Sequence, residues 1–436
     1  MNLRSLLCCA VLALTPLLQA EPWTLARALE VAQENSPDLL VARARLAGSE
    51  ALVEQAQAAW LPQLSLSGRY TQTNSPMMAF GSILNQRAFD FSLDFNHPGR
   101  IDNLNVTGTV AYNLYSGGRA TAGRTAARAG AMAADQDLRS VRLQLGAGVV
   151  RAYLGIRKAR EAVTAVAAGV AAYEAAVANA RLRHAAGQML KSDLLALEVQ
   201  LAQTRESLLS ARHGARLADQ AFFYILGLPA GNETVELAKD DPSLAALTEP
   251  ATGDYAQRPE IMGLEHRLRA AEAAVEAARG ARRPTVNAFA SYQYDRGWQL
   301  NRHGDSWMAG AAVDLNVFDG GQTSGRIHEA QANVTQLKEM LRQATLGISL
   351  EANQARLAHA SAVERLQVTV DAVAQAEESA RLSRARFEQG ALLTAELIAT
   401  ESRLVETRMR RVVAEADERI ALVDLRRAVG LAPLNP

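Results

Sequence analysis

Two acidic residues stand at matching places in this chain. Asp193 follows Gly187 by six residues, and Glu396 follows Gly390 by six. Carboxylates brought close to one another repel and draw in cations, which suits a gate or a selectivity ring. A carboxylate in the first turn of a helix also meets the positive end of the helix dipole, worth on the order of a few tenths of a kcal/mol. Both readings stay open. Between each glycine and its acid lies a leucine, Leu190 or Leu393. Glycine supplies the backbone freedom that a helix-to-helix turn needs, so Gly187 and Gly390 require no partner. Leucines at a turn are harder to explain structurally and suggest contact with another protein. Other chemistry has little support. Histidines 97, 184, 213, 266, 303, 328 and 359 show no ligand spacing, and both cysteines lie at positions 8 and 9. No nucleophile motif, phosphate loop or metal cluster is present, so neither catalysis nor a cofactor or metal is expected.

These residues belong to a duplication. At an offset of 203, Gly117-Gly118 falls on Gly320-Gly321, and Gly187 on Gly390. Glu198, Leu201 and Arg205 fall on Glu401, Leu404 and Arg408, and Gly227-Leu228 falls on Gly430-Leu431. Upstream the offset is 222: Pro37 answers Pro259, and Pro62 answers Pro284. The excess of 19 residues sits between Pro62 and Gly117 of the first copy. A period this long is not a solenoid repeat. It implies two homologous halves around a pseudo-symmetry axis.

Proline placement outlines the helices. None occurs between Pro98 and Pro229, or between Pro284 and Pro433, and proline breaks helix interiors. Both stretches are rich in alanine and other good helix formers. The spacing predicts long helices from Arg119 to Ala186 and from about Thr323 to Gln389. At about 1.5 Å per residue each would run roughly 100 Å. Beyond each glycine break a second helix is expected, Ser192 to Ile225 and onward to about Ala428. Shorter helices are expected over Leu25 to Ala59, broken near Ser36-Pro37, and over Pro259 to Arg282. Arg181-Arg183 and Arg384-Arg386, just before the tips, read as solvated or interhelical pairs.

Between the helices the period drops to two. Leu64, Leu66, Gly68 and Tyr70 alternate with polar residues, as do Leu104 to Leu114, Val286 to Tyr294 and Trp307 to Val317. Of 22 aromatic residues, 14 fall in 60–118 and 284–320. Strands of about ten residues, apolar on one face and rich in aromatics, fit a transmembrane β-barrel. Four strands cannot close a barrel, and an open edge in lipid leaves backbone groups unpaired. Several chains must therefore share one barrel. The excess segment, roughly Asn74 to Asn103, reads as loop from Pro76, Gly81, Asn85, Pro98 and Gly99. Its Phe80, Phe89, Phe91 and Phe95 could fold over the mouth or rest on the rim.

Residues 1–20 read as a secretory signal: Arg4, an apolar run from Leu6 to Leu14, and a small residue at Ala20. Past it, no run of about 18 apolar residues is expected to hold the chain in a membrane as a helix. Lysine and arginine total 46, matched by 46 acidic residues. No nucleic-acid partner is expected from that balance.

The duplicated helix–hairpin–helix–helix pattern resembles the TolC family of outer-membrane efflux and secretion channels. The resemblance also rests on the turns Leu114-Tyr115-Ser116-Gly117-Gly118-Arg119 and Val317-Phe318-Asp319-Gly320-Gly321-Gln322. The tips Gly187 to Asp193 and Gly390 to Glu396 complete it. Asn113 and Asn316 stand where the family often carries a proline.

The resemblance implies a mainly α fold with β, in which each chain forms one third of a twelve-stranded barrel in outer-membrane lipid. A long periplasmic helical tube continues that barrel. It implies a homotrimer working with a periplasmic adaptor and an inner-membrane pump of RND or ABC type, conducting rather than catalysing. It places Asp193 and Glu396 near the periplasmic mouth and offers Gly187, Leu190, Gly390 and Leu393 to the adaptor. Gly117, Gly118, Gly320 and Gly321 would turn strand into helix. The expected organisation is a first repeat over 21–228 with its hairpin at about 63–115, an equatorial linker over 229–258, and a second repeat over 259–436 with its hairpin at about 285–318. The alternative is a soluble periplasmic coiled-coil scaffold without a pore.

Overall fold

A computed structural model describes residues 22–94, 96–231, 234–239, 241–245, 247–250 and 255–433. The expected signal at 1–20, Phe95 and parts of the 229–258 linker lie outside the described residues. In chain order the elements are α1 (Leu25–Asn35), α2 (Pro37–Ala58), β1 (Gln63–Thr73), α3 (Pro76–Asn85), β2 (Ile101–Tyr115), α4 (Arg119–Ala185) and α5 (Lys191–Ile225). After the short α6 (Pro242–Ala245) come α7 (Pro259–Gly280), β3 (Thr285–Gly297), β4 (Arg302–Asp314), α8 (Gln322–Glu388) and α9 (Thr394–Ala428). The duplication is exact in length where it matters. Helices α4 and α8 have 67 residues each, and α5 and α9 have 35 each. The chain divides into two compact units, one of residues 41–140 and 255–348, the other of the remainder.

The first unit holds one antiparallel sheet in the order β1-β2-β3-β4. Its register puts Leu66, Gly108, Tyr292 and Trp307 in one row, and Leu64, Val110, Ala290 and Ala309 in the next. Side chains alternate between faces along a strand. One face therefore carries these apolar rows. The other carries rows such as Ser67, Thr107 and Gln293 with Ser306, or Arg69, Asn105 and Asp295. Strands β1 and β4 each keep one unpaired edge within the chain.

Three sequence expectations need correction here. The segment expected as loop contains helix α3. Pro76 starts it after an extended Ser75, a position where a missing N–H costs nothing, so proline here opens a helix. Strand β4 ends at Asp314 and begins at Arg302, earlier than the expected Trp307-to-Val317 run. Val317 and Phe318 are exposed beyond the last ladder pair, Thr285 with Asp314. Third, α4 does contain a stretch long and apolar enough to cross a membrane by composition. Its Val166, Val170, Tyr173 and Val177 are instead buried against other helices of the second unit.

Each hairpin hands over to its long helix at a pair of left-handed glycines. Gly117 and Gly118 have φ of 67° and 86°, Gly320 and Gly321 of 65° and 88°. The helix starts are capped by different side chains at the same repeat position. Ser116 Oγ accepts from the Ala120 N–H at 3.0 Å. The Asp319 carboxylate accepts from Gly321 N–H at 3.1 Å and Thr323 N–H at 2.8 Å. At Asn113, which stands in the place of a proline, the β2–β3 ladder shifts register between Asn113 and Tyr115, and Asn113 donates to Asn287 at 3.0 Å.

The second unit is helical. Its core runs along α4, α5, α8 and α9 through Val170, Tyr173, Val177, Leu197, Phe387 and Leu397. The described part of the linker is tied down in the same unit. The buried Asp241 accepts from Leu25 N–H at 2.6 Å at the start of α1, and Arg160 donates to the Val235 carbonyl and to Asp219. Burial works against the Asp241 anion, but the N–H groups of Leu25 and Ser243 and the Tyr153 hydroxyl together hold its pKa below the ordinary value.

Candidate functional site

The two interhelical tips lie in the helical unit, and one core serves both. Met189 and Leu194 of the first tip and Leu392 and Ile398 of the second pack against the cluster that holds Tyr173, Phe387 and Leu397. Each tip is closed by the same backbone device. Gly187, at φ 70°, donates to His184, and Gln188 donates back to the Arg183 carbonyl at 2.8 Å. Gly390, at φ 76°, donates to Phe387, and Ala391 donates back to the Arg386 carbonyl at 2.8 Å. These bonds occupy carbonyls that the ending helix leaves free.

The next helix then begins without a side-chain cap, because the N-cap residue is leucine in both copies. This placement exposes Leu190 to 70 % and Leu393 to 76 %, while the preceding Met189 and Leu392 are packed. Asp193 and Glu396 are each the third residue of their helix. Both stand in the first turn, at the helix end where negative charge is favoured. Asp193 is half-buried and Glu396 exposed, and neither has a salt-bridge partner among the described residues. The structure thus brings the leucine and acid candidates of both copies to the ends of one helical core. It leaves the four turn glycines, Gly117, Gly118, Gly320 and Gly321, in the sheet-bearing unit.

The tip arginines, read from the sequence as solvated or interhelical pairs, are interhelical here, and Tyr173 is the residue that reading missed. Arg181 pairs with Glu198 at 2.7 Å, and Arg384 pairs with Glu401 through both carboxylate oxygens. Seventeen residues separate the partners in both copies, centred on the turn, as antiparallel pairing across a helical hairpin requires. Farther from the tips, Arg205 meets Glu174 and Arg408 meets Glu377, both at 2.7 Å. Glu401 is only 2 % exposed, and its hydrogen bonds raise the Arg384 pKa while burial opposes them. Tyr173 joins the copies, donating to the Ile398 carbonyl at 3.1 Å beside Ser402; burial raises its hydroxyl pKa. Arg183 crosses from the first tip to the second and donates to the Phe387 carbonyl at 2.8 Å, with its guanidinium 5.5 Å from the Phe387 ring centre.

No group of three or more metal-ligating side chains occurs among the described residues. What the tips offer is charge, exposed leucine and a braced turn, without a reaction centre. The family model described as outer membrane efflux protein matches residues 28–228 and 255–431. The chain belongs to that family. It is an outer-membrane efflux channel protein of the Gram-negative envelope, a transport protein and not an enzyme. The scaffold alternative without a pore is thereby set aside.

Among its relatives, the outer membrane efflux protein BepC of Brucella suis is 24 % identical over 422 residues, covering 93 % of this chain and 85 % of BepC. Protein CyaE of Bordetella pertussis is 28 % identical over 427 residues, covering 93 % and 84 %. The solved structure of VceC from Vibrio cholerae superposes with a TM-score of 0.78 at 20 % identity, covering 94 % of this chain and 96 % of VceC. Channels of the outer membrane efflux family are trimers that work in efflux pumps.

Proposed function

We propose that three copies of this chain join β1 of one to β4 of the next, closing a twelve-stranded barrel that a helical tube continues. Export through it is passive. A periplasmic adaptor, coupled to an inner-membrane pump of RND or ABC type, docks on Gly187, Leu190, Gly390 and Leu393. Asp193 and Glu396 form rings of carboxylates at the periplasmic mouth that favour cations and resist closure by mutual repulsion. The repeats run over 21–228 and 259–436, with 229–258 as the linker between them.

The observation that carries the docking reading is the sorting of neighbouring apolar residues at each tip. Met189 and Leu392 are packed, while Leu190 and Leu393 are left in solvent. A turn held by glycine hydrogen bonds gains nothing from an exposed leucine, whereas an apolar contact with a partner does. The test is the double variant Leu190→Asp plus Leu393→Asp in cells that depend on the channel for drug efflux. Expected is loss of efflux with the trimer still present in the outer membrane; normal efflux sinks the docking reading. For the acids, Asp193→Asn and Glu396→Gln should each lower the cation selectivity of single-channel current. Unchanged selectivity in both leaves only the helix-dipole role.

A further inference from the structure

The 19-residue excess of the first hairpin is not spare loop: it lies folded on one particular face of the sheet. Two hydrogen bonds from Gln86, and the polar network that its partner belongs to, fix which. Buried Gln86 donates to Asn103 Oδ1 at 3.0 Å and to the Asp102 carbonyl at 2.7 Å. Asn103 in turn donates to Asp295 at 2.6 Å, and Asn105 to the same oxygen at 2.9 Å. Asn103, Asn105 and Asp295 all belong to the polar face. Gly297 lies on that face too, and a Cβ there would come within 2.1 Å of Gln86 Oε1. A Cβ on Gly304, in the row of Asp295, would come within 2.1 Å of the Asn85 carbonyl. The two glycines are the space into which the segment fits.

The seat is completed by a small apolar core of Ala79, Ile83 and Ile101, with Leu93 and Leu300 against it. Arg87 reaches strand β4 and pairs with Asp305 at 2.9 Å, a residue that register places on the opposite face, so this contact ties the segment to the β4 edge and not to the polar face. The segment therefore crosses the sheet from β1 to β4 before returning to β2. In a membrane barrel the apolar face meets lipid and the polar face lines the lumen. A segment seated on the polar face is inside the barrel.

We propose that residues 76–94 form a collar inside the outer mouth of the barrel, three copies of which narrow the opening and limit the size of solute that passes. This rests on the barrel closing with its polar face inward. Each copy brings a helix about 10 Å across into the lumen. The side turned away from the sheet exposes Met77, Met78 and Phe91, the last to 94 %. Three such patches give the mouth an apolar lining, a surface suited to bulky, partly apolar cargo and poor for small ions. The second hairpin, turning through Trp298 to Asn301, contributes no such segment.

The test uses size-graded maleimides applied to whole cells, with one cysteine at Ser291 on the polar face of β3. Both natural cysteines lie at positions 8 and 9, so the probe is unique from residue 10 onward. Two proteins are compared, the full chain and a variant in which 76–94 is replaced by a short glycine–serine turn. A small maleimide should label both at similar rates. A large polyethylene-glycol maleimide should label the shortened variant at least about tenfold faster, as expected when a pore constriction is removed. Equal rates for the large reagent overturn the collar. Failure of the small reagent to label either protein overturns the inward polar face and the proposal with it. Should the shortened chain fail to reach the membrane, the double variant Gln86→Ala plus Arg87→Ala, which frees the segment from its seat, replaces it with the same expected direction.

Discussion

Leu154 and Leu357 hold the same place in the two repeats, yet Leu154 is 4 % exposed and Leu357 is 72 %. Arg183 crosses to the second tip and donates to Phe387, whereas the side chain of its counterpart Arg386 has no hydrogen-bond or ion-pair partner among the described residues. A Cβ on Gly117 would press to 2.4 Å on the Gly280 carbonyl, while one on Gly320 would meet nothing. The contrast points one way each time. At these three places the first repeat finds its neighbour within the chain and the second presents the equivalent surface to the outside; the tip ion pairs run the other way, with Glu401 at 2 % exposure and Glu198 at 33 %. Two repeats related by near symmetry can satisfy only one of their two mutual faces in a single chain. The other face is complete only when further copies close a ring, as the unpaired edges of β1 and β4 also require.

The largest effect should come from the ion pairs. Arg384→Ala strands a nearly buried Glu401 and should destabilise the trimer by about 3 kcal/mol. Arg181→Ala removes an exposed pair and should cost less than about 1 kcal/mol. Thermal unfolding followed by circular dichroism separates them; equal losses would mean that the assembled ring buries Glu198 as well. Next comes Gly117→Ala, which combines a left-handed backbone with a collision against Gly280 and should cost more than about 2 kcal/mol. Gly320→Ala carries backbone strain alone, about 1 kcal/mol. If Gly320→Ala is equally damaging in the trimer, another chain presses on it there.

Smaller still, Arg183→Ala should cost about 1.5 kcal/mol through a lost charged hydrogen bond. Arg386→Ala should cost nothing unless a neighbouring copy accepts from it. A matching loss in that variant would show that the ring repeats the first tip's contact between chains. The smallest difference concerns the helix caps. The Thr323 and Gly321 groups that bond the Asp319 carboxylate hold its pKa below the ordinary carboxylate range. A depressed carboxylate pKa contributes stability above the unfolded value, and this is lost as pH falls through the folded one. Asp319→Ser should therefore flatten the acid limb of trimer stability below about pH 4, and Ser116→Ala should leave that limb unchanged in shape. An unaltered acid limb in Asp319→Ser would remove the capping role.

Much of this protein is legible without coordinates, because the signals are local or periodic. Proline-free stretches and glycine pairs mark α4, α5, α8 and α9 to within about two residues, as boundary rules allow. The alternation around Leu64, Val106, Tyr292 and Trp307 reports four strands and their apolar face. The offset of 203 reports the duplication and brings Asp193 and Glu396, or Leu190 and Leu393, into correspondence. Local patterns failed where proline and glycine have two meanings. Pro76 and Gly81 were loop markers by type, and only the seat formed by Ile101, Asn103 and Gly297 makes their segment a helix laid on the polar face. Likewise, sequence shows that Arg183 and Arg386 are equivalent, but not that one finds Phe387 while the other is left free. Periodicity is a property of a chain with its nearest neighbours, and the sequence carries it whole. Which face a segment covers, and which of two like surfaces is already occupied, depends on residues more than a hundred positions apart, and there the tertiary structure alone decided.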